Sequence, residues 1–158
     1  MILRLIVENI ASFKNAVEFN TFPSSKSQSH NNHKVKCGHA TALRLGAIYG
    51  ANGAGKSNLI KSLFLLKQLI GLESLQKFPI GDSLAFKLDP TYSERPSGIA
   101  VEFYHGNNIY YYHIEFDRSQ VYTEELLLSK KSKDEPIFKR ENNTINIYHS
   151  FFANGANE

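Results

Sequence analysis

The chain has 158 residues, 42% of them hydrophobic and 21% charged; this is one domain's worth of ordinary globular composition and excludes a low-complexity or disordered polymer. No apolar run approaches the roughly 20 residues that span a bilayer, and the start MILRLIVENIASF lacks a charged segment followed by a small-residue cleavage site, so the expectation is a cytoplasmic protein with no membrane partner. A single cysteine, Cys37, excludes an internal disulfide framework, and a net charge of +3 spread along the chain gives only a faint nucleic-acid signal.

Residues 1–8 are rich in Ile, Leu and Val, and after a break at residues 9–14 the stretch 16–22 reads as a second strand, so the chain opens with a β-hairpin ended by Pro23. Residues 24–41, SSKSQSHNNHKVKCGHAT, shift to Ser, Asn, His and Lys and read as a polar exposed loop, bounded here as 23–42. LRLGAIY, residues 43–49, reads as a short buried strand. Beyond the glycines, Leu59, Leu63, Leu66 and Ile70 recur at spacings of three and four, widened by Ile60, Phe64, Leu65 and Leu69, which predicts a helix from residue 56 to about 75 with a broad buried face. Residues 77–98 hold three of the five prolines and read as a long connection. From residue 98 to 148 the runs IAVEFYH, IYYYHIEFD, VYTEELLLSK, PIFKRE and TINIY are separated by GNN, RSQ, KSKDE and NN, the rhythm of a five-stranded antiparallel meander. Ile99, Val101 and Phe103 share one face of the first run, and Tyr110, Tyr112, Ile114 and Phe116 one face of the second, so one side of that sheet is expected to be covered and the other wet.

Gly50-Ala51-Asn52-Gly53-Ala54-Gly55-Lys56-Ser57 fits G-x-x-x-x-G-K-[ST], with an apolar run before it and an amphipathic run after it. Glycines let a backbone wrap a polyphosphate without Cβ clashes, so the N–H groups of Asn52, Gly53, Ala54, Gly55, Lys56 and Ser57 are expected to form a nest at the positive end of the helix dipole. Lys56 would add a cation for the β- and γ-phosphates and the Ser57 hydroxyl a hard oxygen ligand for Mg²⁺; Asn58 is a further candidate donor, toward an α-phosphate. Hydrolysis also needs an acidic residue at a strand end. Asp117 closes a strand, but the alternation around it suits a turn residue, and Glu124 and Glu125 fit the role no better. No catalytic residue is assigned.

LRLIVENIASFKNAVEFN, AIYGANGAGKSNLIKSL, FKLDP and the Tyr-rich meander together resemble the N-terminal lobe of ABC-class ATPase heads. They are most similar to the AAA-type ATP-binding proteins grouped with RecF, the structural-maintenance-of-chromosomes proteins and the abortive-infection or phage-defence ATPases. The resemblance rests on YGANGAGKSN and on ENIASF, residues 8–13, where Ala11 stands in the place of a common arginine that couples nucleotide to the moving lobes; that coupling here would fall to Lys14. It implies an α/β P-loop NTPase fold, lobe I of an ABC head, with a β-hairpin start, a P-loop strand and helix, and an antiparallel β-subdomain. It also implies ATP and Mg²⁺ as cofactors, pairing of two heads around two nucleotides, and DNA or an effector protein as the attached partner. The glutamine loop, signature motif, acidic strand and switch histidine of the family are not recognisable; Gln120 is a poor glutamine-loop residue and LLLSKK has no signature glycines. Residues 1–158 thus read as a partial ATP-binding domain, an amputated lobe that binds without turnover.

Two readings of other classes stand beside this one: a complete small P-loop kinase or phosphotransferase, which the antiparallel tail and the lack of later βα units oppose, and a non-catalytic interaction module keeping the loop as an anion nest. His30, His33, Cys37 and His39 offer zinc-competent ligands at a spacing that matches no standard structural site. Tyr110, Tyr111 and Tyr112, with Tyr104 and His113, could stack bases, although alternate tyrosines covering a core explain them better. Lys130, Lys131, Lys133, Lys139 and Arg140 form a modest basic cluster on turns.

Overall fold

The computed structural model of the chain describes residues 1–26, 29–71 and 84–148. β1 (Ile2–Glu8) and β2 (Val17–Asn20) form the expected opening hairpin. The meander is also present: β5 (Ser97–His105), β6 (Asn108–Phe116), β7 (Val121–Ser129), β8 (Glu135–Glu141) and β9 (Thr144–Ile147) pair in sequence, each antiparallel to the last. The hairpin and the β-subdomain are continuous. β1 pairs with β5, Leu5 opposite Val101 and Val7 opposite Ile99, so hairpin and meander fuse into one seven-stranded sheet of order β2-β1-β5-β6-β7-β8-β9. With both neighbours engaged, β1 buries Leu3, Leu5 and Val7 completely.

One helix, α1 (Lys56–Ile70), lies on a face of that sheet. Its Leu59, Leu65, Leu66 and Leu69 pack with Leu5, Val7, Ile99, Val101, Tyr112, Ile114 and Phe116 to make the main core. Each such side chain contributes roughly 1.5–3 kcal/mol on burial. The broad apolar stripe is only half used: Ile60, Phe64 and Ile70 are 58%, 62% and 60% exposed. A single sheet face covers about a third of a helix's circumference, and a stripe this wide outruns it. The expected helical residues 72–75 lie outside the described residues.

Two further expectations are corrected. The polar loop contains a second small hairpin, β3 (Lys34–Cys37) with β4 (Ala40–Leu43), turning at Gly38 with φ +57. Its buried Cys37 and Ala42 pack against Leu3 of β1 and Ile109 of β6 in a satellite core, so two small apolar residues in a polar stretch suffice to dock it on the sheet. The P-loop strand, by contrast, is absent. Leu43 already belongs to β4, residues 44–50 carry no strand pairing, and Leu45 and Tyr49 are 74% and 93% exposed. The apolar run has strand propensity but no neighbouring strand among the described residues, and a lone strand has nothing to satisfy its backbone or cover its side chains.

Candidate functional site

The glycine loop closes at the N-terminus of α1. Lys56 folds back so that its Nζ donates to the carbonyls of Gly50 and Ala51, both at 2.7 Å, tying the end of the loop to its beginning. Within the ring Ala54 N–H donates to Ala51 O at 3.2 Å, while Gly53 and Gly55 take left-handed φ of +81 and +88. The first bonded amides of the helix entrance are those of Asn58 and Leu59, both to Gly55 O. The amides of Gly55, Lys56 and Ser57 precede that point and have no protein acceptor among the described residues, which is the normal condition of a helix start and the basis of anion binding there.

Asn52, Gly53, Ala54, Gly55, Lys56, Ser57 and Asn58 line a recess of about 280 Å³. That lies just below the roughly 300–1,000 Å³ of small-molecule pockets, a size that suits a compact anion. Donors from the loop amides, the Lys56 ammonium and the exposed Ser57 hydroxyl fit an anionic phosphate chain with its divalent cation. No carboxylate lines the recess.

The turn between β1 and β2 forms a wall behind the loop. Ile10 and Phe13 exchange backbone bonds of 3.1 and 2.9 Å, which brings Ser12 and Phe13 against Gly55. A Cβ placed on Gly55 would lie 2.8 Å from Ser12 Oγ and 3.2 and 3.3 Å from two Phe13 ring carbons. The side chain of Asn58, expected toward a phosphate, instead donates through Nδ2 to Ser12 Oγ at 3.0 Å. The turn is anchored by Asn9, 1% exposed and at φ +50. Asn9 Nδ2 donates to the carbonyls of Tyr92, Arg95 and Pro96, its Oδ1 accepts from Phe86 N–H, and its own carbonyl accepts from Ser97 Oγ. Ser12, Phe13 and Asn9 went unrecognised as parts of the site in the sequence; the break in β-pattern at ENIASF marked a turn but not what it would touch.

Lys14 makes a 2.9 Å ion pair with Asp89 and lies 5.0 Å from the centre of the Tyr92 ring, which a second cation, Arg95, approaches at 4.4 Å. The Lys14 hydrogen bond, with two more from Thr91, holds the Asp89 carboxyl down to about 2. A larger recess, about 650 Å³, is bordered by Leu84, Phe86, Asp89, Arg95, Asp117 and Ser119. Its carboxylates, Asp89 and Asp117, are committed to partners within the protein. Asp117 is a turn residue: Oδ1 accepts from Ser119 N–H, Ser119 Oγ and Gln120 N–H, and Oδ2 from Tyr122 OH at 2.6 Å. Partial burial works against its charge, but these bonds outweigh it and hold the carboxyl down to about 2.

The remaining constellations resolve into structure. Tyr112 is buried, its hydroxyl on Glu124 Oε1 at 2.8 Å, and burial followed by that carboxylate pushes its pKa up. Tyr110 stacks on Phe103 at 5.4 Å on the same face, while Tyr111 lies beside His113 on the other. Lys130 pairs with Glu135, Lys139 with Glu141 and Arg140 with Glu124, so the basic cluster is largely neutralised. Glu125 lies 3.9 Å from His113. His30 and His33 meet edge to face, but Cys37 is inside the satellite core, and no described group of three acidic, His or Cys residues could hold a metal.

A family model described as "AAA domain, putative AbiEii toxin, Type IV TA system" matches residues 46–155, a stretch that begins just ahead of the glycine loop and takes in the whole meander. No curated protein matches the chain.

Proposed function

The chain belongs to this family of AAA ATPase-type domains, and from that premise we propose that it binds ATP with Mg²⁺ at residues 50–57 and serves as part of a dimerising ABC-class head. In this reading the amides of Gly55, Lys56 and Ser57, which have no acceptor among the described residues, would donate to phosphate oxygens, and Lys56 would turn from its two loop carbonyls to the β- and γ-phosphates. Ser57 would hold Mg²⁺ through its hydroxyl, and the cation would supply neutralisation of the phosphate charge. The observation that carries the proposal is the closed ring made by Lys56 on Gly50 and Ala51, with unpaired amides at the helix entrance.

No carboxylate lines the recess, and in this reading the acid that positions water is supplied from elsewhere in an assembled head. The exposed Leu45, Ile48 and Tyr49 ahead of the loop, with Ile60 and Phe64 on α1, support a further structural layer packed there, supplied by the remainder of a longer ATPase or by a second head. The AbiEii-like character of the family favours an abortive-infection setting over other RecF-like or chromosome-maintenance settings, with DNA or an effector protein as the attached partner. Among the described residues no helix is long and apolar enough to cross a membrane.

Calorimetric titration of the chain with ATP tests this directly. Binding should need Mg²⁺ for full strength and should fall at least about tenfold in Lys56→Ala, the loss of one strong charged contact, with phosphate release at background throughout. A wild-type chain with no measurable affinity would remove the proposal.

A further inference from the structure

We propose that Ser12 is a positioning residue for the phosphate cradle, acting through Gly55 and Asn58 from the turn between β1 and β2. The proposal rests on the nucleotide-binding reading of residues 50–57. Helices are normally held at their start by a Ser, Thr, Asp or Asn side chain bonded to a first-turn amide. α1 has Gly55 there, at φ +88 and with no side-chain cap bond, because the loop's backbone path excludes a Cβ. The entrance is braced from outside instead. Ser12 Oγ accepts from Asn58 Nδ2 at 3.0 Å and sits against the Gly55 α-carbon, while the Phe13 ring closes the same side. Asn58 is tied in turn to the helix body by Ser62 Oγ, which donates to its carbonyl at 2.8 Å from a fully buried position.

A brace works only if its own base is fixed. The turn is held by the Ile10–Phe13 bonds, by Ala11 N–H on Leu84 O at 2.7 Å, by the five bonds at Asn9 and by the Lys14–Asp89 ion pair. Ser12 therefore presents its hydroxyl from a rigid platform, and the amides of Gly55, Lys56 and Ser57 are pre-aimed before any phosphate arrives. Preorganisation of this kind raises affinity by lowering the ordering cost of binding.

The test is a double-mutant cycle with two readouts on the whole chain: the Kd for Mg²⁺-ATP, and amide hydrogen exchange without nucleotide at Asn58 and Leu59, whose N–H groups bond to Gly55 O. Ser12→Ala and Asn58→Ala should each weaken binding about 3- to 10-fold, in the range of one neutral hydrogen bond. The double variant should be no worse than the poorer single one, and Ser12→Thr, which keeps the hydroxyl, should return to within about 2-fold of wild type. Exchange at Asn58 and Leu59 should accelerate in both single variants while β6 stays protected. Additive losses in the double variant, failure of the threonine to restore binding, or a rise in exchange spread evenly over the chain would each overturn the positioning role. If the wild-type chain binds no ATP, the functional reading fails, and the exchange cycle alone still decides whether Ser12 braces the helix entrance: unchanged exchange in Ser12→Ala rejects it.

Discussion

Gly53→Ala and Gly55→Ala make a matched pair, because the two glycines share a left-handed backbone, φ +81 and +88, and differ in what surrounds them. Placing an L side chain in that region costs about 1–2 kcal/mol at either position. At Gly53 nothing lies within 4 Å of the added carbon, so the cost ends there. At Gly55 the carbon would meet Ser12 Oγ at 2.8 Å and the Phe13 ring at 3.2–3.3 Å. The hydroxyl can rotate away only by giving up its bond to Asn58, and the ring is packed against the main core. Overpacking of this kind adds about 1–3 kcal/mol, for a total of roughly 2–5 kcal/mol. Urea denaturation followed by far-UV circular dichroism suits a chain with eight tyrosines and no tryptophan. Removing the hydroxyl in Ser12→Ala/Gly55→Ala should recover part of the loss, since one of the two obstructions is gone. Equal destabilisation by the two glycine variants, or a double variant that loses the full sum of both single effects, would refute the idea that the turn presses on the helix entrance.

Asn9→Ala should cost about 2–4 kcal/mol, because it strands three carbonyls and the Phe86 amide that Asn9 now satisfies; urea midpoints measure this, and Asn9→Gly, which tolerates φ +50 better, separates the lost bonds from the backbone term. Phe64→Glu and Ile60→Glu should change the stability of the chain by less than about 0.5 kcal/mol, whereas Leu66→Ala on the buried face should cost about 2–5 kcal/mol; comparable effects on both faces would show that the outer face of α1 is covered. Asp117 has its carboxyl held near 2, below an ordinary value of 3.8, so its contribution is complete above about pH 4 and is lost as pH falls toward 2. The stability gap between wild type and Asp117→Asn should therefore be constant from pH 7 to 5 and narrow between pH 4 and 2 in denaturant titrations; a gap that widens on acidification contradicts the assigned hydrogen bonds.

What the sequence made legible was local. Alternation in IAVEFYH and IYYYHIEF predicts strands and a covered face, because period-two patterning is written in adjacent residues, but the expected wet face fails on β5, where Ala100 and Glu102 are buried as well; the eight residues of the glycine loop carry their own signature in residue type and spacing. What stayed illegible required partners far apart. The pairing of Leu5 with Val101 joins residues nearly a hundred apart and converts a separate hairpin and meander into one sheet. The polar stretch hid β3 and β4 because only Cys37 and Ala42 of that hairpin are buried, too few to show a period.

Residues 43–49 show the same limit most sharply. An apolar run ahead of a glycine loop has the composition of a buried strand, yet burial belongs to a pair of surfaces, and here the second surface is missing among the described residues. The same holds for α1, whose stripe is wide enough for two layers and meets one. Two independent segments on either side of the cradle are thus overdesigned for the structure around them, and they share the property of being apolar where the described fold leaves them wet. The helix end of the cradle is braced by the turn at Ser12, and the segment leading into its other end, residues 45–49, has no comparable brace among the described residues.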